Sequence, residues 1–183
     1  MGSTRYFVAA SIDGFIADPD GNLDWLLQFD GMDGAAESYE EFLAGIGALV
    51  MGADTYRFLL AQKLPQWPYA GLPTWVFTTS DLPLIDGADI RFASGAVAPV
   101  HTQAREAARG KNIWMVGGGA LAAQFLAAGL LDELILTVIP VVLGSGRQLL
   151  PVSGPTPALE LMARKDLGRG AVELSYRFGS GPA

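Results

Sequence analysis

The chain has 183 residues, half of them hydrophobic, with no cysteine, one histidine and a formal net charge of −7. This length and this hydrophobic content predict one folded domain over residues 1–183 and exclude an intrinsically disordered protein. The composition argues against disulfides, histidine-based metal sites and nucleic-acid binding, and without an apolar span or a signal sequence we expect a cytoplasmic protein outside the membrane.

Strand-like and helix-like runs alternate along most of the chain. The predicted strands are 6–10, 48–52, 74–78, 90–92 and 113–116, and the predicted helices are 37–43, 54–62, 100–108 and 120–126. Three further strands follow without a helix between them, at 133–142, 158–163 and 172–178. This order predicts an α/β fold whose sheet is mainly parallel, with antiparallel strands at its C-terminal edge.

Three consecutive glycines, Gly117, Gly118 and Gly119, connect a strand-like run to a helical run. A turn without Cβ atoms allows a ligand to approach the backbone, and a helix start offers unpaired N–H groups and the positive end of the helix dipole. The segment is therefore typical of a phosphate or pyrophosphate site. Together with Ala122 it also fits the G-x-G-x-x-A pattern of Rossmann domains, but its position after several strand-helix units disfavours that fold.

Four blocks of the chain resemble, in the same order, segments of the dihydrofolate reductase-like superfamily. They are Ala10–Ala17, Val50–Tyr56, Trp114–Gly119 with Gln124–Leu126, and Pro140–Gly146. They are most similar to the branch that includes the C-terminal reductase domain of riboflavin biosynthesis (RibD). The resemblance implies a three-layer α/β fold: a central mixed, mostly parallel sheet of eight strands, flanking helices and antiparallel C-terminal strands. It also implies a homodimer.

The same resemblance implies an NADPH-dependent reductase of a small heterocyclic or conjugated C=N or C=O compound, of the pterin or 5-amino-6-ribosylaminouracil phosphate type. The alternative is a nucleotide-binding module of the same fold without catalysis. Ala122 stands where folate reductases usually carry a tyrosine, which disfavours folate itself as the substrate.

The resemblance assigns the cofactor to segments that are rich in backbone contacts. Main-chain groups of Ala9 and Ile16 would hold the nicotinamide carboxamide, and the loop 16–25 would lie over the active site. Two helix starts would bind the pyrophosphate, since each supplies N–H donors without a lysine or an arginine. The remaining cofactor residues are Gly52, Ala53, Thr55, Val116, Gly117, Gly118, Gly119, Ala120 and Leu121, with Thr78, Thr79 and Ser80 at the adenosine ribose and its 2′-phosphate.

Ala53 and Asp54 stand where NADPH-preferring members of the family often carry a basic residue. Loss of a guanidinium and the presence of a carboxylate are expected to weaken selectivity for NADPH, although Arg57 lies one helical turn further on. The expected cofactor is NADPH, with NADH as the alternative, and no metal is expected.

Two carboxylates are candidates for the proton source that such a reduction requires. Glu37 falls within one position of the acid that the folate enzymes carry on their first helix, although the helix dipole alone also stabilises a glutamate in a first turn. Asp13 is the second candidate, although the pair Asp13-Gly14 is first of all a turn former.

Four residues are candidates for contacts with the substrate. Trp25 would cover the substrate or anchor its loop. Thr137 matches a strand threonine that faces the substrate in the folate enzymes, and it is also an ordinary β-former. Gly144 and Arg147 belong to a glycine-rich segment that borders the active site in the riboflavin branch. Its alternative interpretation is a wide turn with a surface arginine.

Overall fold

A computed structural model describes residues 2–179 of the chain. The strands are β1 (Thr4–Ser11), β2 (Phe15–Ala17), β3 (Ile46–Gly52), β4 (Thr74–Phe77), β5 (Ile90–Ala93), β6 (Asn112–Gly117), β7 (Glu133–Ile139), β8 (Arg147–Gln148), β9 (Glu160–Asp166) and β10 (Val172–Arg177). The helices are α1 (Asp24–Leu27), α2 (Ala35–Ala44), α3 (Ala53–Ala61), α4 (Val97–Ala107) and α5 (Gly119–Ala127). None of the helices described here is long and apolar enough to cross a membrane.

Eight of the strands form one sheet in the order β5-β4-β3-β6-β1-β7-β10-β9. In this spatial order, the first six strands (β5, β4, β3, β6, β1 and β7) pair in parallel. Strand β10 runs antiparallel to both of its neighbours, β7 and β9. The predicted eight-stranded, mostly parallel sheet with antiparallel C-terminal strands is confirmed. Because β3 and β6 are neighbours, the glycines that end them, Gly52 and Gly117, lie at the same edge of the sheet.

Strand β1 shows how the two faces of the sheet are covered. Tyr6 packs in a cluster with Phe125 of α5, whereas Phe7 points to the opposite face, where its ring lies 4.5 Å from the ring of Phe42 in α2. Side chains alternate across a strand, so Ala9 faces the same side as Phe7. Helices therefore cover both faces, which gives the three layers that were expected.

The sequence pattern did not predict the short elements β2, α1 and β8. The strands β2 and β8 pair with each other as a separate two-stranded sheet, and all three elements are too short to show a hydrophobic period. Helix α4 also begins earlier than predicted, at Val97, because Pro99 falls in its first turn, where a missing N–H costs no helical hydrogen bond.

Candidate cofactor and substrate site

A cleft of about 490 Å³ opens where β3, β4 and β6 end and where α3 and α5 begin. Nine of the predicted cofactor residues line it, namely Gly52, Ala53, Thr55, Thr78, Thr79, Ser80, Gly118, Ala120 and Leu121. The remaining lining residues are Asp54, Arg57, Phe77, Ser94, Gly95 and Gln124. The fold therefore brings the two predicted pyrophosphate segments and the predicted ribose segment together around one space.

Both helices at this cleft begin with a glycine and without a side-chain cap. Gly52 is the N-cap of α3 and Gly118 is the N-cap of α5, and neither helix start has a side-chain hydrogen bond of the capping type. The first N–H groups of a helix have no partner within it, and the helix dipole favours negative charge there. The cleft thus offers two sets of backbone donors that suit a diphosphate.

The three consecutive glycines have different neighbours. A Cβ atom at Gly118 would meet nothing within 4 Å, so the protein leaves open space there. A Cβ atom at Gly119 would overlap the carbonyl oxygens of Gln148 and Leu149, and one at Gly117 would lie 3.0 Å from Thr55 Oγ1. Gly117 and Gly119 therefore permit close packing within the protein, whereas Gly118 keeps the cleft open.

Three charged side chains meet at the rim of the cleft. Asp54 Oδ1 lies 3.0 Å from Arg57 Nη1, and Asp54 Oδ2 lies 3.3 Å from Arg147 Nη1. All three side chains are exposed, and together they leave one net positive charge beside the cleft. Arg147, predicted at the substrate, thus contacts Asp54, a residue that lines this cleft.

Asp13 holds the glycine-rich segment against the end of β1. Its carboxylate accepts hydrogen bonds from Ser11 Oγ at 2.6 Å, from the Leu143 N–H at 3.1 Å and from the Gly144 N–H at 2.7 Å. These bonds, above all the one from Ser11, lower the pKa of Asp13. At neutral pH this side chain is an ionised acceptor, and its observed contacts are those of a turn anchor.

The predicted nicotinamide end of the site is covered by the segment after β2. Ala9 and Trp25 pack around Ile139 and Leu167 on the face of the sheet that also carries α2. The indole Nε1 of Trp25 is buried and has no hydrogen-bond partner among residues 2–179. Ile16 lies half-buried in β2, just before this segment.

The predicted proton donor Glu37 lies in the first turn of α2, where its side chain is exposed. The next residue, Ser38, is buried and points toward the sheet, where its hydroxyl donates to Glu173 at 2.9 and 3.0 Å. Thr137 is also buried and pairs with Glu173 across β7 and β10. The structure thus places Thr137 beside a different carboxylate from the predicted one.

Glu173 is the residue of this region that sequence reasoning missed. In β10 the apolar residues Val172, Leu174 and Tyr176 alternate with Glu173 and Ser175, and such alternation usually marks a strand with one solvent-facing side. Helix α2 covers that side, so Glu173 is only 4% exposed. A glutamate in an antiparallel strand is too common a feature to reveal such a position.

Comparisons with known proteins identify similar sequences. The family model described as the RibD C-terminal domain matches residues 4–172. The uncharacterized protein YwjB of Bacillus subtilis is 35% identical over 173 residues, which cover 94% of this chain and 96% of the relative.

Two solved structures share the fold. A protein from Shewanella sp. PV-4 that is assigned to riboflavin biosynthesis has a TM-score of 0.79 and 23% identity, covering 97% of this chain and 99% of that one. Dihydrofolate reductase from Enterococcus faecalis, in complex with NADP(H), has a TM-score of 0.59 and 15% identity, covering 97% of both chains. At these identities the two structures show the fold alone.

Proposed function

The chain belongs to the RibD C-terminal domain family, and we propose that it is an NADPH-dependent reductase that acts on a small heterocyclic or conjugated C=N or C=O compound. A reductase-type function is what this family and the dihydrofolate reductase-like fold support. The observation that carries the proposal is the cleft at which two uncapped helix starts and the segment Thr78–Ser80 converge.

The lining of the cleft supports a dinucleotide. The N–H groups at the starts of α3 and α5 would bind the pyrophosphate, and the open space at Gly118 would allow its oxygens to reach the backbone. The hydroxyl groups of Thr78, Thr79 and Ser80 would contact the ribose. When bound, a nicotinamide dinucleotide supplies a hydride.

The preference for NADPH over NADH rests on Arg57. This side chain lines the same cleft as Thr78 and Ser80, and its guanidinium pairs with Asp54. A 2′-phosphate would compete with Asp54 for Arg57, because guanidinium groups bind phosphate through forked hydrogen bonds. Asp54 also pairs with Arg147. The two arginines and the one aspartate leave a net positive charge at the rim, which suits a phosphate.

Titration of the purified protein with NADPH and with NADH, followed by quenching of tryptophan fluorescence, tests the cofactor. We expect saturable binding of both and tighter binding of NADPH. If neither nucleotide binds, the proposed function is wrong.

Turnover separates an enzyme from a binding module. The loss of NADPH absorbance is followed with a dihydropterin, with 5-amino-6-ribosylaminouracil phosphate and with a quinone as oxidants. We expect consumption with at least one of the three. Binding of NADPH without consumption in any of them would favour the non-catalytic module.

The homodimer, the single domain and the cytoplasmic location stay predictions. Light scattering can check the homodimer.

A further inference from the structure

The starts of α3 and α5 come close to each other at the cleft. Strand β3 ends at Gly52 and its neighbour β6 ends at Gly117. A Cβ atom at Gly52 would lie 3.9 Å from the Gly117 carbonyl oxygen and 3.9 Å from the Gly118 nitrogen. The first N–H groups of both helices therefore border one small space. Neither helix has a lysine or an arginine in its first turn, so only the backbone supplies positive charge there.

Strand β8 lies against the start of α5 and is held by backbone contacts. A Cβ atom at Gly119, the first residue of α5, would overlap the carbonyl oxygens of Gln148 and Leu149. The Leu149 N–H donates to the Gly14 carbonyl at 2.9 Å, and β8 pairs with β2. The backbone of Arg147, the first residue of β8, is thus fixed beside α5. A change of partner by Arg147 requires movement of its side chain alone.

The Arg147 side chain reaches from β8 to the start of the other helix. Its Nη1 lies 3.3 Å from Oδ2 of Asp54, which belongs to the first turn of α3. The ion pair therefore connects the two helix starts across the rim of the cleft. In the free protein, Asp54 supplies the negative charge that the dipole of α3 favours at this end. A guanidinium has five N–H donors, and Asp54 is the sole carboxylate partner of Arg147 among residues 2–179, so donors remain for a second anion.

This ion pair is weak enough to be exchanged for a stronger one. The side chains of Arg147 and Asp54 are 56% and 71% exposed, and water and salt screen an exposed pair. A phosphate group, by contrast, accepts two parallel hydrogen bonds from one guanidinium. Asp54 also has a second partner, because Arg57 Nη1 lies 3.0 Å from its Oδ1. Its charge therefore remains compensated when Arg147 turns to another anion.

We propose that Arg147 is a cationic ligand of the pyrophosphate of a dinucleotide, and that Asp54 holds this guanidinium in the free protein. The pyrophosphate at the two helix starts takes Arg147 from Asp54, and no covalent bond forms or breaks. The inference rests on the proposed function, because it takes the cleft as the site of a nicotinamide dinucleotide. It gives the two arginines of the rim separate tasks. Arg147 binds the pyrophosphate that NADPH and NADH share, and Arg57 binds the 2′-phosphate that only NADPH carries.

Asp54 has the opposite effect on the same ligand. Its carboxylate lines the cleft, where it repels a pyrophosphate and competes with it for Arg147. Removal of the Asp54 charge should therefore strengthen binding, whereas removal of the Arg147 charge should weaken it. A general loss of folded protein would weaken binding in both variants. The two opposite signs thus separate the exchange from a structural effect.

Calorimetric titration of the purified protein with NADPH and with NADH tests the assignment. Arg147→Gln should weaken the binding of both nucleotides by the same factor, about tenfold, since a hydrogen bond between charged groups is lost. Asp54→Asn should strengthen the binding of both by at least about threefold. The matched control is Arg177→Gln, which removes an exposed arginine that is paired with Glu160 at 3.1 Å and does not line the cleft. This control should leave both affinities unchanged.

Nuclear magnetic resonance can follow the exchange without an affinity measurement. The Nε–H signals of the arginine side chains are recorded, and the signal that Arg147→Gln lacks identifies Arg147. Saturating NADH should shift this signal and leave the signal of Arg177 in place. Asp54→Asn should shift the Arg147 signal in the absence of any nucleotide. An Arg147 signal that saturating NADH leaves unchanged would overturn the inference.

The remaining outcomes separate this inference from the proposed function. If the wild type binds neither NADPH nor NADH, the proposed function itself fails. If the wild type binds them and Arg147→Gln binds them equally well, the inference is wrong and the proposed function stands. A loss for NADPH alone would place Arg147 at the 2′-phosphate, and weaker binding by a folded Asp54→Asn protein would make Asp54 a ligand of the nucleotide. Either of these two results overturns the inference.

Discussion

The cleft at the starts of α3 and α5 and the buried surroundings of Glu173 are built in opposite ways. The cleft consists of backbone groups at two helix starts, with glycines around them and exposed charges at its rim. The surroundings of Glu173 consist of side chains from β9, β10 and α2, and the Glu173 carboxylate is buried beneath α2. A backbone site depends on local chain geometry, whereas the contacts of Glu173 form only when strand register and helix position are both correct. Substitutions should therefore damage the two regions in different ways.

The largest effect on stability is expected from Gly119→Ala, for which Gly118→Ala is the comparison. A methyl group at Gly119 would overlap the backbone of Gln148 and Leu149, so we expect the free energy of unfolding to fall by about 3 kcal/mol. A methyl group at Gly118 meets open space, so the loss should stay within about 1 kcal/mol, the cost of a poorer N-cap. Urea unfolding measures both values.

Binding separates the same two variants. The methyl group of Gly118→Ala occupies space that the proposal gives to the pyrophosphate, so affinity for NADPH should fall about tenfold, the loss of one good hydrogen bond to a charged group. Unimpaired NADPH binding by a folded Gly118→Ala protein would remove the glycine turn from the cofactor site.

The next effect concerns the buried region. Ser38→Ala leaves the Glu173 carboxylate without its hydroxyl donor, and an unsatisfied buried group of this kind costs about 2 kcal/mol. Urea unfolding of Ser38→Ala should show this loss, and Glu40→Gln on the exposed side of α2 serves as the control. Equal stability of the two variants would mean that the carboxylate is satisfied without Ser38.

A pH-dependent effect is expected at Asp13. Hydrogen bonds from Ser11, Leu143 and Gly144 lower its pKa in the folded state, so they stabilise the protein when the carboxylate is ionised. This stabilisation is present above the unfolded pKa of about 3.9 and is lost as the pH falls through the lower folded pKa. Asp13→Asn should lower the melting temperature at pH 7, and the difference from the wild type should shrink toward pH 2, as calorimetry can show. A constant difference would contradict this assignment.

The smallest effect is expected at the rim of the cleft. Arg57→Gln removes an exposed ion pair with Asp54, so stability should change by less than about 0.5 kcal/mol. Affinity for NADPH should fall less than about tenfold and affinity for NADH should not change, because only the former carries the 2′-phosphate. Arg91→Gln, which removes a similar exposed pair with Asp89, is the matched control. Equal losses for both nucleotides would remove Arg57 from the 2′-phosphate site.

The fold was largely predictable because its signals are local. Apolar runs such as Leu49–Met51 mark buried strands, and the order of strands and helices predicts a parallel sheet. The elements that escaped prediction, β2, α1 and β8, are short and gain their order from contacts with other segments. The glycine triplet and Gly52 also indicated a backbone site, and in the fold Gly52 and Gly118 line one cleft.

The roles within the site were less predictable than its location. Arg147 was assigned to the substrate, but its contact with Asp54 arises because β8 pairs with β2 near the start of α3. Asp13 could be read as an acid or as a turn former, and its three hydrogen bonds are those of an anchor for the segment at Leu143. Each distinction depends on segments that are distant along the chain.

By itself, the sequence determined the fold class, the glycine turn and the place of the cleft beside it, because these depend on local periodicity and on backbone freedom. Only the tertiary structure decided that Glu173 is buried, since its exposure depends on α2, more than 100 residues earlier, lying across β10. The same packing brought Ser38 and Lys165 to that carboxylate. The sequence specifies which side chains are polar. Contacts between segments that are distant along the chain determine which of those side chains become buried.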